Sequence, residues 1–86
     1  INLFPENVND REINIHIIRT NPFFQFVSME NSVARIDEAG DKVSILFEND
    51  SLLQFSKTDI SKVEMTETET SINLYSGLAI ILMYDG

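Results

Sequence analysis

The sequence of 86 residues contains no cysteine or tryptophan, and it has only three glycines, two prolines and one histidine. Without cysteine, disulfides and thiolate metal sites are excluded. Because glycine stands only at positions 40, 77 and 86, neither a P-loop nor a dinucleotide-binding fingerprint can form. The lack of cysteine fits a reducing compartment, so we expect the protein to be cytoplasmic.

The chain also lacks the residues that most catalytic sites need. His16 is the only histidine, so a zinc site would have to join it to carboxylates alone. No serine lies in a G-x-S-x-G context, and the carboxylate pairs at 48/50 and 67/69 fall at expected hairpin ends, where acid–base catalysis would lack burial. We expect no enzymatic activity, no catalytic residue, no metal ion, no cofactor and no small-molecule substrate.

Basic residues are few as well. Six Lys and Arg stand against 14 Asp and Glu, which gives a formal net charge of -8. Nucleic-acid phosphates and anionic lipids repel such a chain unless a basic cluster compensates, and the basic residues are scattered. We expect neither direct nucleic-acid binding nor membrane binding. A basic protein partner suits the charge; alternatively, the acidic surface only maintains solubility. The basic residues are Arg11, Arg19, Arg35, Lys42, Lys57 and Lys62.

Length and hydrophobic content predict one folded domain over residues 1–86. Hydrophobic residues make up 43% of the chain and charged residues 23%, which is typical of globular proteins. No run approaches the roughly 18 apolar residues of a membrane-spanning helix. The abundance of isoleucine and asparagine with little lysine is typical of an AT-rich bacterial or phage gene.

Alternating apolar residues predict strands along most of the chain. The segment 32–37 breaks the alternation and is either a bulged strand or one helical turn. Gly40 predicts a turn, and "KTDIS" at 57–61 predicts a tight or helical turn capped by Thr58 or Asp59. The expected strands lie at 12–19, 23–29, 42–47, 53–55, 61–66, 71–75 and 78–84.

This pattern predicts an all-β fold: a small antiparallel meander of about seven short strands that forms a barrel or a compact sandwich. The hairpin series in residues 42–84, with "DI" between strands, is similar to bacterial pleckstrin-homology-type and SH3-like barrels. No motif of either family matches residue by residue.

The stretch "NPFFQF" at 21–26 gathers three of the six phenylalanines. Asn21-Pro22 predicts a turn, and the strand after it places Phe24 and Phe26 on one face and Phe23 on the other. The Asn-Pro-Phe tripeptide resembles the ligand of EH domains. Because it leads directly into an aromatic strand, we expect core packing instead.

Whether the loop has an odd or an even number of residues sets the expected register of the hairpin in 42–55. A two-residue loop would divide the apolar residues between two faces, whereas an odd loop keeps them on one. A three-residue loop at 49–51 would place Phe47 opposite Leu53 and Ile45 opposite Phe55. An Asn or Asp in that loop can take the left-handed conformation.

The last hairpin is apolar on both faces. A two-residue turn at Ser76-Gly77 would pair Ile72 with Ile81 and Leu74 with Ala79 as the core face. The opposite face then needs a cover, which a second layer of the fold, the N-terminal segment around Leu3 and Phe4, or another chain can provide. This opposite face consists of Tyr75, Leu78, Ile80, Leu82 and Tyr84.

Two functions follow as expectations. The first is a non-enzymatic protein-interaction or assembly module in which that C-terminal strand pairs with a protein partner or another copy, as a homo-oligomer, by edge-strand addition. The second is an acidic inhibitor that occupies the nucleic-acid-binding site of a basic partner protein through Glu64, Glu67 and Glu69. Binding of the second kind would weaken steeply with salt.

Overall fold

The computed structural model describes residues 3–20 and 26–85, and the side chains of 3–19 and 31–85. Its strands form one antiparallel sheet in the order β4-β3-β2-β1-β7-β6-β5. Short 3-10 helices at Val8–Asp10 and Lys57–Asp59 precede β1 and β5. The strands are β1 (Glu12–Thr20), β2 (Phe26–Ala39), β3 (Lys42–Phe47), β4 (Leu52–Ser56), β5 (Ile60–Met65), β6 (Glu69–Leu74) and β7 (Leu78–Asp85). The prediction of an all-β fold with about seven strands is confirmed.

One face of this sheet carries the core. In β3, Val43, Ile45 and Phe47 are buried while the two residues between them are only partly buried, as period-two alternation requires. The buried residues of the other strands join them in a single cluster. That cluster includes Ile13, Ile15 and Ile17 of β1, Ile72 and Leu74 of β6, and Ile80, Leu82 and Tyr84 of β7.

The sheet curls around this core. A single sheet with one buried face needs a cover, and among the described residues outside the strands only Leu3, Phe4 and Val8 belong to the cluster. Most of the described core therefore comes from the sheet itself, whose buried residues join in one cluster. The three-residue helix between β4 and β5 links the two outermost strands, yet no ladder joins them. The sheet is thus open between β4 and β5, and within the described residues it does not form a closed barrel.

The N-terminal segment is tied to β2 by Asn9. Its Nδ2 donates to Ile36 O at 2.9 Å, and its Oδ1 accepts from Ile36 N at 2.8 Å. These bonds satisfy the backbone of β2 just after its pairing with β3 shifts between Val33 and Arg35. Of the two alternatives for 32–37, a bulged strand or one helical turn, the structure shows the bulged strand, and it lies within the longer β2.

The β3–β4 hairpin has an odd-numbered loop, as expected, but its residue pairs differ from the expected ones. Ile45 lies opposite Leu53 and Val43 opposite Phe55, so the predicted register is two residues off. Phe47 N donates to Ser51 O, which leaves a three-residue loop at 48–50. Asp50 takes the left-handed conformation with φ of 70°. A shift of two residues keeps every side chain on its face, so the apolar face survives the error.

The β6–β7 register differs from the prediction by one residue, which reverses the faces of β7. Ile72 lies opposite Ile80, and Asn73 opposite Ala79. The loop thus has three residues, 75–77, with Gly77 at φ of 96°. The expected core pairs of Ile72 with Ile81 and Leu74 with Ala79 are wrong. Because the side-chain period is two, this shift moves the even-numbered residues of β7 into the core.

Two further turns match the sequence pattern in part. Gly40 has φ of 64° at the expected turn between β2 and β3. The helical turn expected within 57–61 is present, but its N-cap is Ser56, whose side chain accepts from Thr58 N. Caps at Thr58 or Asp59 were wrong.

The turn at Asn21-Pro22 and the placement of Phe23 and Phe24 lie outside the described residues. From Phe26 onward the expected second strand is present as β2. Within the part of the chain that is described, no helix is long and apolar enough to cross a membrane.

Candidate functional site: the open edge of strand β5

Strand β5 is one of the two outermost strands of the sheet. It pairs with β6 on one side and with no strand on the other, among the residues described. An unpaired edge presents backbone N–H and C=O groups that can pair with another chain. The open edge of β5 is therefore the first feature to consider as a binding site.

The register identifies which residues of β5 face outward. Thr66 N donates to Glu69 O at 2.8 Å, and two residues further along Glu64 lies opposite Ser71. In an antiparallel ladder, hydrogen-bonded pairs alternate with pairs that turn their backbone groups away. Val63 and Met65 belong to the second kind. Their N–H and C=O groups consequently point to the open edge.

A bulge limits this edge at its other end. The pairing of β5 with β6 shifts between Ile60 and Lys62, where Lys62 lies opposite Asn73. Ser61 falls within the bulge, and its hydroxyl donates to Asn73 O at 3.1 Å. A bulge disrupts the ladder locally and bends the strand. The regular part of the edge is thus short and centres on Val63, Glu64 and Met65.

An apolar groove runs beside the same edge. The side chains of a strand point alternately to its two faces. Val63 and Met65 are two residues apart, so both side chains lie on the same face, the concave one that carries the core. Met65 is 50% exposed although that face holds the core. A groove of about 510 Å³ opens here, and a second one continues past Leu3 and Met65 toward Arg11. The first groove is lined by Leu3, Lys57, Ile60, Val63 and Met65.

The floor of the groove is fixed by a buried hydrogen-bond chain. Tyr84 Oη donates to Thr70 Oγ1 at 2.6 Å, and Thr70 Oγ1 donates to Leu3 O at 3.3 Å. Arg11 stacks over the Tyr84 ring at 5.4 Å and donates to Glu67 O. Burial raises the pKa of Tyr84, although the Thr70 hydrogen bond and the Arg11 charge act in the opposite direction. The N-terminal segment is therefore held against β6 and β7.

Charge is concentrated on the convex face of the same hairpin. Lys62 Nζ lies 2.9 Å from Glu64 Oε1, and both side chains are about two-thirds exposed. The hydrogen bond and charge of Lys62 lower the pKa of Glu64, and the same contact raises the pKa of Lys62. Glu67 and Glu69 are exposed near the turn and form no ion pair within the described part of the chain. The three residues expected to form an acidic surface thus lie on one hairpin.

The residues expected to form an apolar interface do not share a surface. Ile80, Leu82 and Tyr84 are 0%, 0% and 5% exposed, so they are core residues of the folded chain. Leu78 packs partly buried against the same core, and only Tyr75 is open, at 76%. Moreover, β7 pairs with both β1 and β6, so it offers no edge for strand addition. The cover that the sequence required is internal and includes Leu3 and Phe4.

The sequence pattern did not identify the β5 edge. Residues 61–66 were expected to form a strand through Val63 and Met65, but strand order decides which strands are outermost, and alternation does not encode strand order. One local signal was available. Charged residues on the solvent face are frequent on edge strands, and Lys62 and Glu64 are of this kind.

The side chains of the described residues beside the edge form no metal-binding cluster. Among the described residues, no group of three or more His, Asp or Glu side chains is placed to hold a metal ion. His16 lies in the middle of β1, opposite Glu30 and Ile81. The edge therefore offers backbone hydrogen bonds, apolar contacts and surface charge.

Comparison with protein-family models gives no match, and neither does comparison with curated proteins. No solved structure matches the chain either.

Proposed function

We propose that the protein is a non-enzymatic protein-interaction module whose β5 edge accepts an extended segment of another protein. The observation that carries this proposal is the combination at one edge of outward backbone groups at Val63 and Met65 with an apolar groove on the concave side. In strand addition, main-chain hydrogen bonds supply affinity and pockets for alternate side chains supply specificity. Both parts lie within one strand here.

The dimensions of the edge suit a short segment. Six residues of β5 extend over about 20 Å, and the regular part beyond the bulge is shorter. A segment of about five to seven residues would cover it. In this proposal the gap between β4 and β5 makes the architecture a curled sandwich that is open at one seam, rather than a barrel.

A displayed library of random peptides tests the proposal. We expect the wild-type chain to enrich peptides with alternating apolar residues, and we expect Val63→Pro to abolish their binding because it removes an outward N–H. Val63→Ala is the matched control, since it shortens the side chain but retains the donor, and it should keep part of the affinity. Circular dichroism confirms that both variants fold.

Two results would contradict this function. One is the absence of any enriched peptide. The other is a set of peptides that bind Val63→Pro as tightly as they bind the wild type, because such binding would not use the backbone of the edge.

A second candidate function is the acidic inhibitor of a basic partner. It is supported by the exposure of Glu64, Glu67 and Glu69 on one hairpin. Its partner would be a nucleic-acid-binding protein, and binding would compete with DNA or RNA. Capture of a basic partner that falls steeply between about 0.05 and 0.3 M salt supports it, because surface charges are screened over that range. Capture that ignores salt, or that survives Glu→Gln replacement at all three positions, contradicts it.

A further inference from the structure

We infer that the segment which fits the β5 edge has the pattern apolar–basic–apolar and comes from a different protein, not from a second copy of this chain. This inference rests on the proposed function and names the partner chemistry of the same edge. Its basis is the position of each side chain of β5 relative to an added strand.

The apolar positions follow from the groove. Residues of an added strand that exchange backbone hydrogen bonds with Val63 and Met65 place their own side chains on the concave face, as Val63 and Met65 do. That face is the apolar groove lined in part by Leu3 and Ile60. Apolar side chains at these two positions would cover the exposed half of Met65.

The basic position follows from Glu64. A residue of the added strand opposite Glu64 lies on the convex face, directly beside this carboxylate. Glu64 already contacts Lys62, but both side chains remain largely exposed, and Glu67 and Glu69 add negative charge nearby. A Lys or Arg at the opposite position therefore meets net negative charge, whereas a Glu or Asp is repelled.

A second copy fits this edge poorly. The self-pairing that uses all the outward groups sets Val63 opposite Met65 of the other copy, which yields about four hydrogen bonds. That register places Glu64 opposite Glu64 of the other copy, and like charges in opposing positions are destabilising.

Shifting the register does not rescue self-pairing. With Met65 opposite its own counterpart, Val63 faces Glu67, which lies beyond the end of β5. If Val63 lies opposite its own counterpart, Lys62 faces Glu64, which is favourable. Met65 then faces Ser61, however, and Ser61 lies within the bulge, where the ladder is disrupted. Each copy also carries a net charge of -8. A foreign basic segment gains the full set of bonds without either cost.

Two synthetic seven-residue peptides test the inference, one with Val-Lys-Val at its centre and one with Val-Glu-Val. The readout is a nuclear magnetic resonance titration of the protein amides. We expect both peptides to shift the Val63 and Met65 amides, and the Lys peptide to bind about tenfold more tightly. Glu64→Lys should reverse this preference.

Glu69→Lys is the matched control. It changes the net charge by the same amount and also lies on the convex face, but it belongs to β6, so it should leave the order of the two peptides unchanged. A reversal by Glu69→Lys as well would show that only total charge matters and would overturn the inference.

The remaining outcomes separate the inference from the function. Equal affinity for the two peptides, with shifts at Val63 and Met65, removes the basic position and leaves strand addition intact. Self-association of the wild type through these amides overturns the inference, because the added strand then comes from a second copy, and it supports only strand addition at the edge. Failure of both peptides at millimolar concentration contradicts both.

Discussion

The phenol of Tyr84 donates a hydrogen bond of 2.6 Å to the hydroxyl of Thr70, and both side chains are buried. Through Thr70 this bond reaches Leu3 O, so it links the last strand of the sheet to the N-terminal segment. A buried hydroxyl that loses its partner is costly, so removing this contact should lower the free energy of unfolding by a measurable amount.

Tyr84→Phe should lower the free energy of unfolding by about 1 kcal/mol, because it removes the donor to Thr70 and little else. Urea denaturation measures the change. Tyr75→Phe is the matched control, since Tyr75 is 76% exposed, and it should change stability by less than about 0.5 kcal/mol. Equal losses for the two variants would contradict the buried hydrogen-bond chain.

Alkaline pH should destabilise the fold through Tyr84. Burial raises its pKa in the folded state above the ordinary value near 10, so the folded chain holds the proton more tightly than the unfolded chain. This contribution is fully present below pH about 10 and is lost as the pH rises through the folded pKa. Between pH 8 and about 11, the free energy of unfolding should fall more steeply with pH for the wild type than for Tyr84→Phe. Parallel curves would contradict the assignment.

Ile80 and Ile81 distinguish the two registers of the last hairpin. Ile80→Ala should cost about 2 to 5 kcal/mol, since Ile80 is fully buried. Ile81→Ala should cost clearly less, because Ile81 lies on the convex face and is only partly buried. Thermal and urea unfolding of the two variants measure these costs. The reverse order of costs would restore the two-residue turn and would contradict the structure.

Asn9 should contribute more to the stability of the fold than its surface position suggests. Asn9→Ala removes both hydrogen bonds to Ile36 and should destabilise the fold by about 1 to 3 kcal/mol. Asn7→Ala is the control, because the Asn7 side chain makes no capping hydrogen bond. If both substitutions cost the same amount in urea denaturation, the N-terminal segment is not held through Asn9.

Removing the charge at Glu64 should permit self-pairing. In Glu64→Thr, no like charges meet in the register that uses Val63 and Met65, and threonine favours strands. We expect light scattering to detect dimers of this variant at high micromolar concentration, while the wild type remains a monomer. Dimers of the wild type at the same concentration would show that Glu64 does not protect the edge.

The sequence was sufficient for the parts of the fold that depend on local pattern. Alternation identified β1 and β3. The break in alternation at 32–37 limited that segment to a bulged strand or one helical turn, of which the structure shows the bulged strand. Turn chemistry predicted the turn at Gly40 and a left-handed Asn or Asp in the loop after β3, where the structure shows Asp50.

Register and face were harder, and the last hairpin explains why. β7 is apolar at every position from Leu78 to Met83, so its pattern does not reveal which face is buried. The prediction then depended on the length of one turn. Tyr75 belongs to the loop rather than to the strand, which shifts the register by one residue. Ile80, Leu82 and Tyr84 therefore lie in the core and not at the expected interface.

The candidate site depends on strand order, which no local pattern encodes. The pairing of β1 with β7 joins strands β1–β4 to strands β5–β7 within the sheet and leaves β4 and β5 outermost. Residues 61–66 have the same alternating pattern as an interior strand. Only the tertiary arrangement reveals that Val63 and Met65 face an open edge.

Amide hydrogen exchange of the free protein tests the open edge most directly. We expect the amides of Val63 and Met65 to exchange rapidly, because they point away from β6, and the amide of Glu64 between them to be protected by its bond to β6. Protection of Val63 and Met65 equal to that of Glu64, in the monomer, would contradict an open edge and the function built on it.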